Sequence, residues 1–225
     1  MAITTQIEAQ GSTVADFHEN VTLSCTVSDP KGVKQVTWHR HRTNGSVETV
    51  AAYGMHLEDS VLEPFADKVF LTETSLDSTA ITVRGVSLED EGCYICSFNI
   101  YPKGTTRKQI CLIVRGVRTV RTWKRPLVAP ALDTEKPVVV TCSATGKPAP
   151  EVQWGVSEDQ KSGPMETTSS NTNSDGTVTV TSSLRLDLST SPRTHVDCLV
   201  GGQETQKRIY SRVTGGIAKV HNDDT

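Results

Sequence analysis

The feature that most constrains this chain is the run Asp90-Glu91-Gly92-Cys93-Tyr94-Ile95-Cys96, in which a tyrosine precedes a cysteine by two residues. Upstream of it lie Cys25 and Trp38, and the second half of the chain repeats their order with Cys142, Trp154 and Cys198. Around the first cysteine, apolar and polar residues alternate from Val21 to Cys25, which is the period of a strand with one buried face. A chain of 225 residues accommodates two domains. We therefore predict an all-β chain of two sandwich domains.

This pattern resembles the immunoglobulin fold of variable type, in which two cysteines join the sheets and the tyrosine near the second cysteine forms a tyrosine corner. The resemblance implies the disulfides Cys25–Cys96 and Cys142–Cys198. It also implies an ion pair between Lys68 and Asp90 at the base of the first sandwich, with a solvated pair as the alternative.

The second domain departs from the variable-type pattern. Its two cysteines are closer together, which leaves no room for the extra strands of that type, and Val196 replaces the tyrosine. We expect residues 1–116 to form a V-type domain and residues 117–225 a constant-like, C2-type domain. The boundary follows from a last strand that ends at Arg115 and a next cysteine-bearing strand that begins near Pro137.

Two further cysteines, Cys93 and Cys111, are not part of that pattern. Cys93 and Cys96 form a Cys-x-x-Cys motif, but residues three apart on a strand point to opposite faces, which argues against a shared metal or a redox pair. Cys93 should face outward, and Cys111 on the next strand is available because Ile110 and Leu112 then face inward. We predict Cys93–Cys111, worth about 3 kcal/mol against the unfolded chain. A free thiol at either position is the alternative.

The cysteine count also indicates the compartment. Six cysteines, an even number, favour an oxidising environment with three disulfides. Asn20 and Asn44 head glycosylation tripeptides that fit the same compartment. We find neither a long apolar run nor a leader-like start, so we expect membrane attachment only through an anchor absent from this chain. The expected location is extracellular, either at the cell surface as an ectodomain or as a secreted protein.

The segment Cys142-Ser-Ala-Thr-Gly-Lys-Pro-Ala-Pro150, together with the extra pair Cys93 and Cys111, resembles the OX-2 membrane glycoprotein family. The resemblance implies a cell-surface immunoregulatory ligand that binds an inhibitory immunoglobulin-superfamily receptor on myeloid cells, acting as a monomer. Viruses carry copies of this family, so a secreted viral decoy fits the same motifs.

A second resemblance supports an alternative family, the nectin-like adhesion molecules. The segment Phe98-x-x-Tyr101-Pro102-x-Gly104 is similar to nectins and poliovirus-receptor-like adhesion molecules, in which it docks into a partner's variable domain. The extra cysteine pair is not part of the nectin pattern, so this reading ranks second.

In variable-type domains, recognition uses the face formed by strands G, F, C and C′. Alternation along the predicted strands places six residues on that face, with two more in the loop that caps it: His39, His41, Ser97, Asn99, Arg107 and Gln109, then Tyr101 and Lys103. Tyr101 and Arg107 come first, because tyrosine and arginine are enriched among interface anchors. For any single position, a solvated strand residue is the alternative.

Charge and motifs limit the remaining classes. The segment from Lys103 to Arg125 holds eight Lys or Arg and no acid in a chain of net charge −3. This strip could steer an acidic receptor or bind sulfated glycans, or be a solvated edge. Nucleic acid is not an expected partner for an oxidising-compartment protein of this net charge. No hydrolase, zinc-protease or phosphate-loop motif occurs. His39 and His41 share a face but have no third ligand. We therefore predict no metal, no cofactor and no enzymatic activity.

Overall fold

A computed structural model describes residues 5–126, 138–156, 165–186, 196–202, 205–213 and 219–221, with side chains described for residues 5–125, 138–155, 166–186 and 196–201. The predicted strand start near Pro137 lies outside these ranges. Contacts divide the chain into two compact units, Met1–Val114 and Arg115–Thr225. Within the described ranges the elements are strands, apart from a 3₁₀ turn at Leu88–Asp90. The all-β prediction is confirmed.

The first unit is built from two sheets. One has the order β1 (Ile7–Gly11), β3 (Val21–Val27), β8 (Ser78–Val83) and β7 (Val69–Thr74). The other has the order β10 (Gly104–Pro126), β9 (Gly92–Ile100), β4 (Val33–His41), β5 (Val47–Gly54) and β6 (Leu57–Val61), with β2 (Val14–Asp16) paired to β10. β10, β9, β4 and β5 occupy the G, F, C and C′ positions, and β5 and β6 are the extra strands of a variable-type domain.

The core of the first unit forms where the predicted residues meet between these sheets. Cys25 and Cys96 are joined by a disulfide, and Trp38 is fully buried. The Trp38 indole donates to Thr79 Oγ1 at 2.9 Å, which satisfies its only polar atom. The Tyr94 hydroxyl donates to the Asp90 carbonyl at 3.1 Å, so the tyrosine corner is present.

At the base of this core, Lys68 Nζ lies 2.5 Å from Asp90 Oδ2. The Asp90 carboxylate is buried and also accepts from the Ser87 amide at 2.8 Å. The pair is therefore not a solvated one, because its acidic partner is withdrawn from water. A second cation, Arg40, is buried beside it and donates to Glu48 at 2.9 Å.

The second unit has the constant-like arrangement. One sheet has the order β13 (Met165–Thr172), β14 (Val178–Leu186), β11 (Val138–Lys147) and the second half of β10. The other has the order β12 (Glu151–Val156), β15 (Val196–Gly202), β16 (Thr205–Val213) and β17 (Lys219–His221). Cys142 and Cys198 are joined and fully buried, and the Trp154 indole donates to Ser182 Oγ at 2.7 Å.

The end that we predicted for the last strand of the first domain is wrong. Instead of ending at Arg115, β10 continues to Pro126. It pairs with β9 as far as Leu112 and with β11 from Gly116 onward. Gly116 has a φ of 95°, a conformation that glycine adopts readily, at the residue where the partner changes. Because a pairing partner is available on both sides of this residue, the chain stays extended.

Candidate protein-binding face

The outer surface of β10, β9, β4 and β5 is called the front face here. Strand register arranges it in four cross-strand rows. In order these rows are Thr105–Asn99–Gln35–Gly54, Arg107–Ser97–Thr37–Ala52, Gln109–Ile95–His39–Thr49 and Cys111–Cys93–His41–Val47. Since successive side chains on a strand alternate between faces, all of these residues point away from the core that holds Trp38.

A depression of about 620 Å³ lies on this face. It is lined by Gln35, Thr37, His39, His41, Val47, Ile95, Ser97, Asn99, Thr105 and Arg107. Five of the residues expected on the face therefore line it. Sequence reasoning missed Gln35, Ile95 and Thr105 as face residues, although each shares the parity of a residue that was chosen on the same strand. Alternation alone could have found them.

Small residues and one apolar side chain shape this depression. Gly54 and Ala52 end two of the rows, so the β5 side of the face carries little side-chain bulk. Gly54 cannot gain a side chain, because a Cβ there would lie 2.5 Å from the Lys34 carbonyl oxygen. Ile95 is only 7% exposed although it faces outward, and it supplies apolar surface among polar neighbours, whereas Val47 is exposed. Eight of the ten lining residues are polar, so the depression suits a polar protein surface, with apolar contact at Ile95 and Val47.

The charge of the depression is positive. Arg107 is its permanently charged residue, and none of the described residues that line it is acidic. Partial burial lowers the pKa of His39 first, and the neighbouring His41 and Arg107 charges lower it further. His39 Nδ1 lies 3.4 Å from Thr49 Oγ1, its neighbour in the same row. An acidic or neutral polar partner surface is complementary to this face.

The loop that caps the front face presents Tyr101 and is braced from below. Tyr101 is 73% exposed, and its amide donates to the Gly32 carbonyl at 2.8 Å. Lys103 Nζ lies 3.1 Å from Asp29 Oδ2 and 3.2 Å from Thr5 Oγ1. The Lys103 hydrogen bond is the main reason that the pKa of Asp29 is lowered. Lys103, which we expected on the face, therefore holds the loop in place and does not line the depression.

The fourth row contains a disulfide. Cys93 and Cys111 lie directly opposite each other on β9 and β10 and are bonded, the pairing that strand parity predicts. Gln109 contacts this bridge, with Nε2 3.1 Å from the Cys111 sulfur, and is not among the residues that line the depression. The bridge fixes the relative position of the two strands that carry Ser97 and Arg107.

Neither glycosylation asparagine lines the depression, although the turn that carries Asn44 joins His41 to Val47, which do line it. Asn20 is exposed just before β3, and its side-chain oxygen accepts from the Gly85 amide at 3.0 Å. Asn44 is exposed in the turn between β4 and β5, and its side-chain oxygen accepts from the Ser46 amide at 2.9 Å. Glycosylation at either position stays a prediction.

Comparison with protein-family models identifies both halves of the chain. Residues 9–115 match the immunoglobulin V-set domain, and residues 125–209 match the CD80-like C2-set immunoglobulin domain. The chain therefore belongs to the immunoglobulin superfamily, as a V-set domain followed by a C2-set domain.

Individual relatives fall into two groups. The chain is 31% identical over 166 residues to the OX-2 membrane glycoprotein of Homo sapiens, which covers 73% of this chain and 55% of that protein. It is 27% identical over 198 residues to the OX-2 membrane glycoprotein homolog of human herpesvirus 8 type P (isolate GK18), covering 87% and 69%. It is also 32% identical over 179 residues to Nectin 1b of Danio rerio, covering 75% and 32%.

These matches confirm the resemblance to OX-2 proteins that the motifs indicated, and nectins are present as the runner-up. The chain spans about half the length of the cellular OX-2 relatives that it matches, 47 to 57%. Among the residues that the structure describes, no helix is long and apolar enough to span a membrane. The binding role of the front face stays a prediction.

Proposed function

We propose that this protein is a cell-surface immunoregulatory ligand whose V-set domain binds a protein receptor through the front face. The observation that carries the proposal is the depression of about 620 Å³, with Arg107 as its charged group, together with the exposed Tyr101 in the loop that follows β9. Tyrosine and arginine are the residue types most often found as interface anchors. The similarity to OX-2 membrane glycoproteins supports an inhibitory immunoglobulin-superfamily receptor on myeloid cells as the partner.

Rigidity supports the same assignment. The loop that presents Tyr101 is tied to the rest of the unit by the Lys103 ion pair and the Gly32 contact, and the strands beneath Arg107 are bridged by a disulfide. A preorganised surface loses little conformational entropy on binding. We expect a small interface, about 1,200 Å² in total, of the kind found in transient signalling contacts.

Adhesion is the second candidate function. The similarity to Nectin 1b and the Phe98-to-Gly104 segment favour it. On this reading the same face meets another nectin-like domain or a second copy of this chain. A secreted decoy would use the front face as a ligand does, so it differs in anchoring and not in the contact.

Surface plasmon resonance of the whole chain tests these readings. The inhibitory myeloid receptor for OX-2 is immobilised in one channel and nectin-family ectodomains in others. We expect saturable binding to the myeloid receptor, weakened at least about 30-fold by Tyr101→Ala and by Arg107→Glu, as for an interface anchor. Binding in the nectin channels alone would replace the first proposal with the second.

Lys108→Glu is the matched control for Arg107→Glu. It makes the same change of charge one residue further along β10, at an exposed position whose side chain has the opposite parity. We expect it to retain receptor affinity. Equal losses in the two variants would mean that net charge, and not the front face, determines binding.

A further inference from the structure

The outer surface of the sheet β13-β14-β11-β10 in the second unit has a distinct composition. Register places four cross-strand rows on it: Thr119–Thr145–Thr179–Asn171, Arg121–Ser143–Thr181–Ser169, Trp123–Thr141–Ser183–Thr167 and Arg125–Val139–Arg185–Met165. We call this surface the hydroxyl face, because nine of its sixteen positions are Ser or Thr. No acidic residue occurs in these rows.

Three guanidinium groups and one indole stand out on the hydroxyl face. Arg121, Trp123 and Arg125 alternate along β10 and so share one side of it. Trp123 is 46% exposed, and both arginines are exposed. Arg121 and Arg125 are four residue steps apart on the strand, a distance of about 14 Å. Arg185 is exposed two strands away in the row of Arg125, at roughly 10 Å.

These arginines are available to a ligand. Among the described residues, neither an ion pair nor a side-chain hydrogen bond is found for Arg121, Arg125 or Arg185. By contrast, Arg118 on the same strand lies 2.9 Å from Asp175. Three positive charges without an acidic neighbour in their rows are complementary to a ligand with several anionic groups.

The serine and threonine pairs add hydrogen-bonding capacity. Thr145 and Thr179 oxygens are 2.8 Å apart, Ser143 and Thr181 are 2.9 Å apart, and Thr141 and Ser183 are 3.0 Å apart. In each pair a single hydroxyl hydrogen lies between the two oxygens. The second hydroxyl hydrogen of each pair is not used within the pair, and all of these residues except the buried Thr141 are partly exposed, so the rows offer donors to polar groups.

We propose that the hydroxyl face is a binding site for a sulfated polysaccharide. Sulfate and carboxylate groups would pair with Arg121, Arg125 and Arg185, and the exposed Trp123 ring offers a flat apolar surface for a sugar ring between the first two. The chemistry favours this polyanion over others. Three disulfides indicate an oxidising compartment, where nucleic acid is not the expected partner, and a surface of hydroxyls is poorly suited to insertion into lipid.

Titration of the full chain with a heparin-derived oligosaccharide tests the site. The net charge of −3 opposes general attraction to a polyanion, so we expect binding to require this face. Arg121→Ala/Arg125→Ala should weaken binding about tenfold, since it removes two charge-assisted contacts. The control, Lys31→Ala/Lys34→Ala, removes the same charge from exposed positions of the first unit and should keep its affinity. Equal losses in the two variants would overturn the proposal.

Substitution of Trp123 tests the contact with the sugar ring separately from electrostatic attraction. Trp123→Ala leaves the net charge unchanged and should weaken binding about fivefold. Trp38 is fully buried and Trp154 is half-buried, so the emission change on adding the oligosaccharide should come mainly from Trp123 and be lost in this variant. Desulfated oligosaccharide should not bind. Undiminished binding by Trp123→Ala, or binding to phosphatidylserine vesicles with none to the oligosaccharide, would overturn the proposal.

Discussion

His39 shows how position on the front face changes the chemistry of one residue. Its ring is half-buried among the rows and lies near two other basic groups, so its pKa is lowered by burial first and then by His41 and Arg107. The neutral form is therefore favoured at neutral pH, and Arg107 remains the fixed charge of the depression. Acidification adds charge to a site whose described lining residues include no acid to balance it.

This shift predicts how stability depends on pH. A histidine whose pKa is lower in the folded state binds more protons when unfolded, so its contribution is present above the unfolded pKa of about 6.5 and is lost as pH falls toward the folded value. We expect the melting temperature of the wild type to fall more between pH 7.5 and pH 5 than that of His39→Gln. Equal falls in the two proteins would show that His39 does not contribute.

NMR titration of the His39 ring gives an independent check on the cause. Arg107→Gln removes one of the charges that disfavour protonation, so the pKa of His39 should rise toward its ordinary value. Burial remains in that variant, and the rise should therefore be partial. An unchanged titration would assign the lowered pKa to burial and His41 alone.

Individual residues also show how far sequence patterns extend. Alternation placed His39, Ser97 and Arg107 on one face correctly, because a strand has a fixed period of two. It says nothing about Lys103, which lies in the loop that caps the face and whose ammonium group pairs with Asp29, a residue 74 positions away in sequence. A contact of that kind depends on how two loops approach each other, and no local pattern encodes it.

At the scale of elements, two adjacent loops determine where Tyr101 sits. The turn at Gly32 has a φ of 84°, and a Cβ added there would lie 2.3 Å from the Tyr101 carbonyl oxygen. We predict that Gly32→Ala displaces the Tyr101 loop, weakens receptor binding about tenfold or more, and costs about 1 kcal/mol or more in unfolding free energy. Plasmon resonance and denaturant unfolding measure the two effects.

Gly45 supplies the matched control for this prediction. Its φ is 86°, nearly that of Gly32, but a Cβ there would meet no atom within 4 Å. Gly45→Ala should therefore carry a comparable backbone cost with no change in receptor affinity. If both variants bind like the wild type, the close approach to Tyr101 is not what positions the loop.

Element boundaries were harder to predict than element identity. The strands around Cys25, Cys96 and Cys142 follow from alternation and from the cysteine pattern, whereas the end of β10 does not. Its continuation to Pro126 depends on β9 and β11 offering partners on either side of Gly116. Pairing of this kind is a tertiary property, which intrinsic strand preference predicts poorly.

For the whole molecule, the two proposed sites belong to different units. The front face lies in Met1–Val114 and the hydroxyl face in Arg115–Thr225. The basic segment from Lys103 to Arg125 contributes Arg107 to the first and Arg121 and Arg125 to the second. We therefore expect substitutions in one face to leave the proposed function of the other intact. The basic segment, continuous in sequence, therefore contributes to two chemically different surfaces, the front face and the hydroxyl face.

A small front-face interface also predicts how many copies must act together. One chain should dissociate quickly, whereas linked copies rebind before all contacts are lost. Four copies joined through a C-terminal biotin on streptavidin should remain on a receptor-coated surface about 10²-fold longer or more than a single copy. Plasmon resonance of both forms measures the ratio, and a tetramer of Arg107→Glu should not bind. Equal dissociation rates for single and linked wild-type copies would mean that one interface is already large and stable, contrary to the size proposed for the front face.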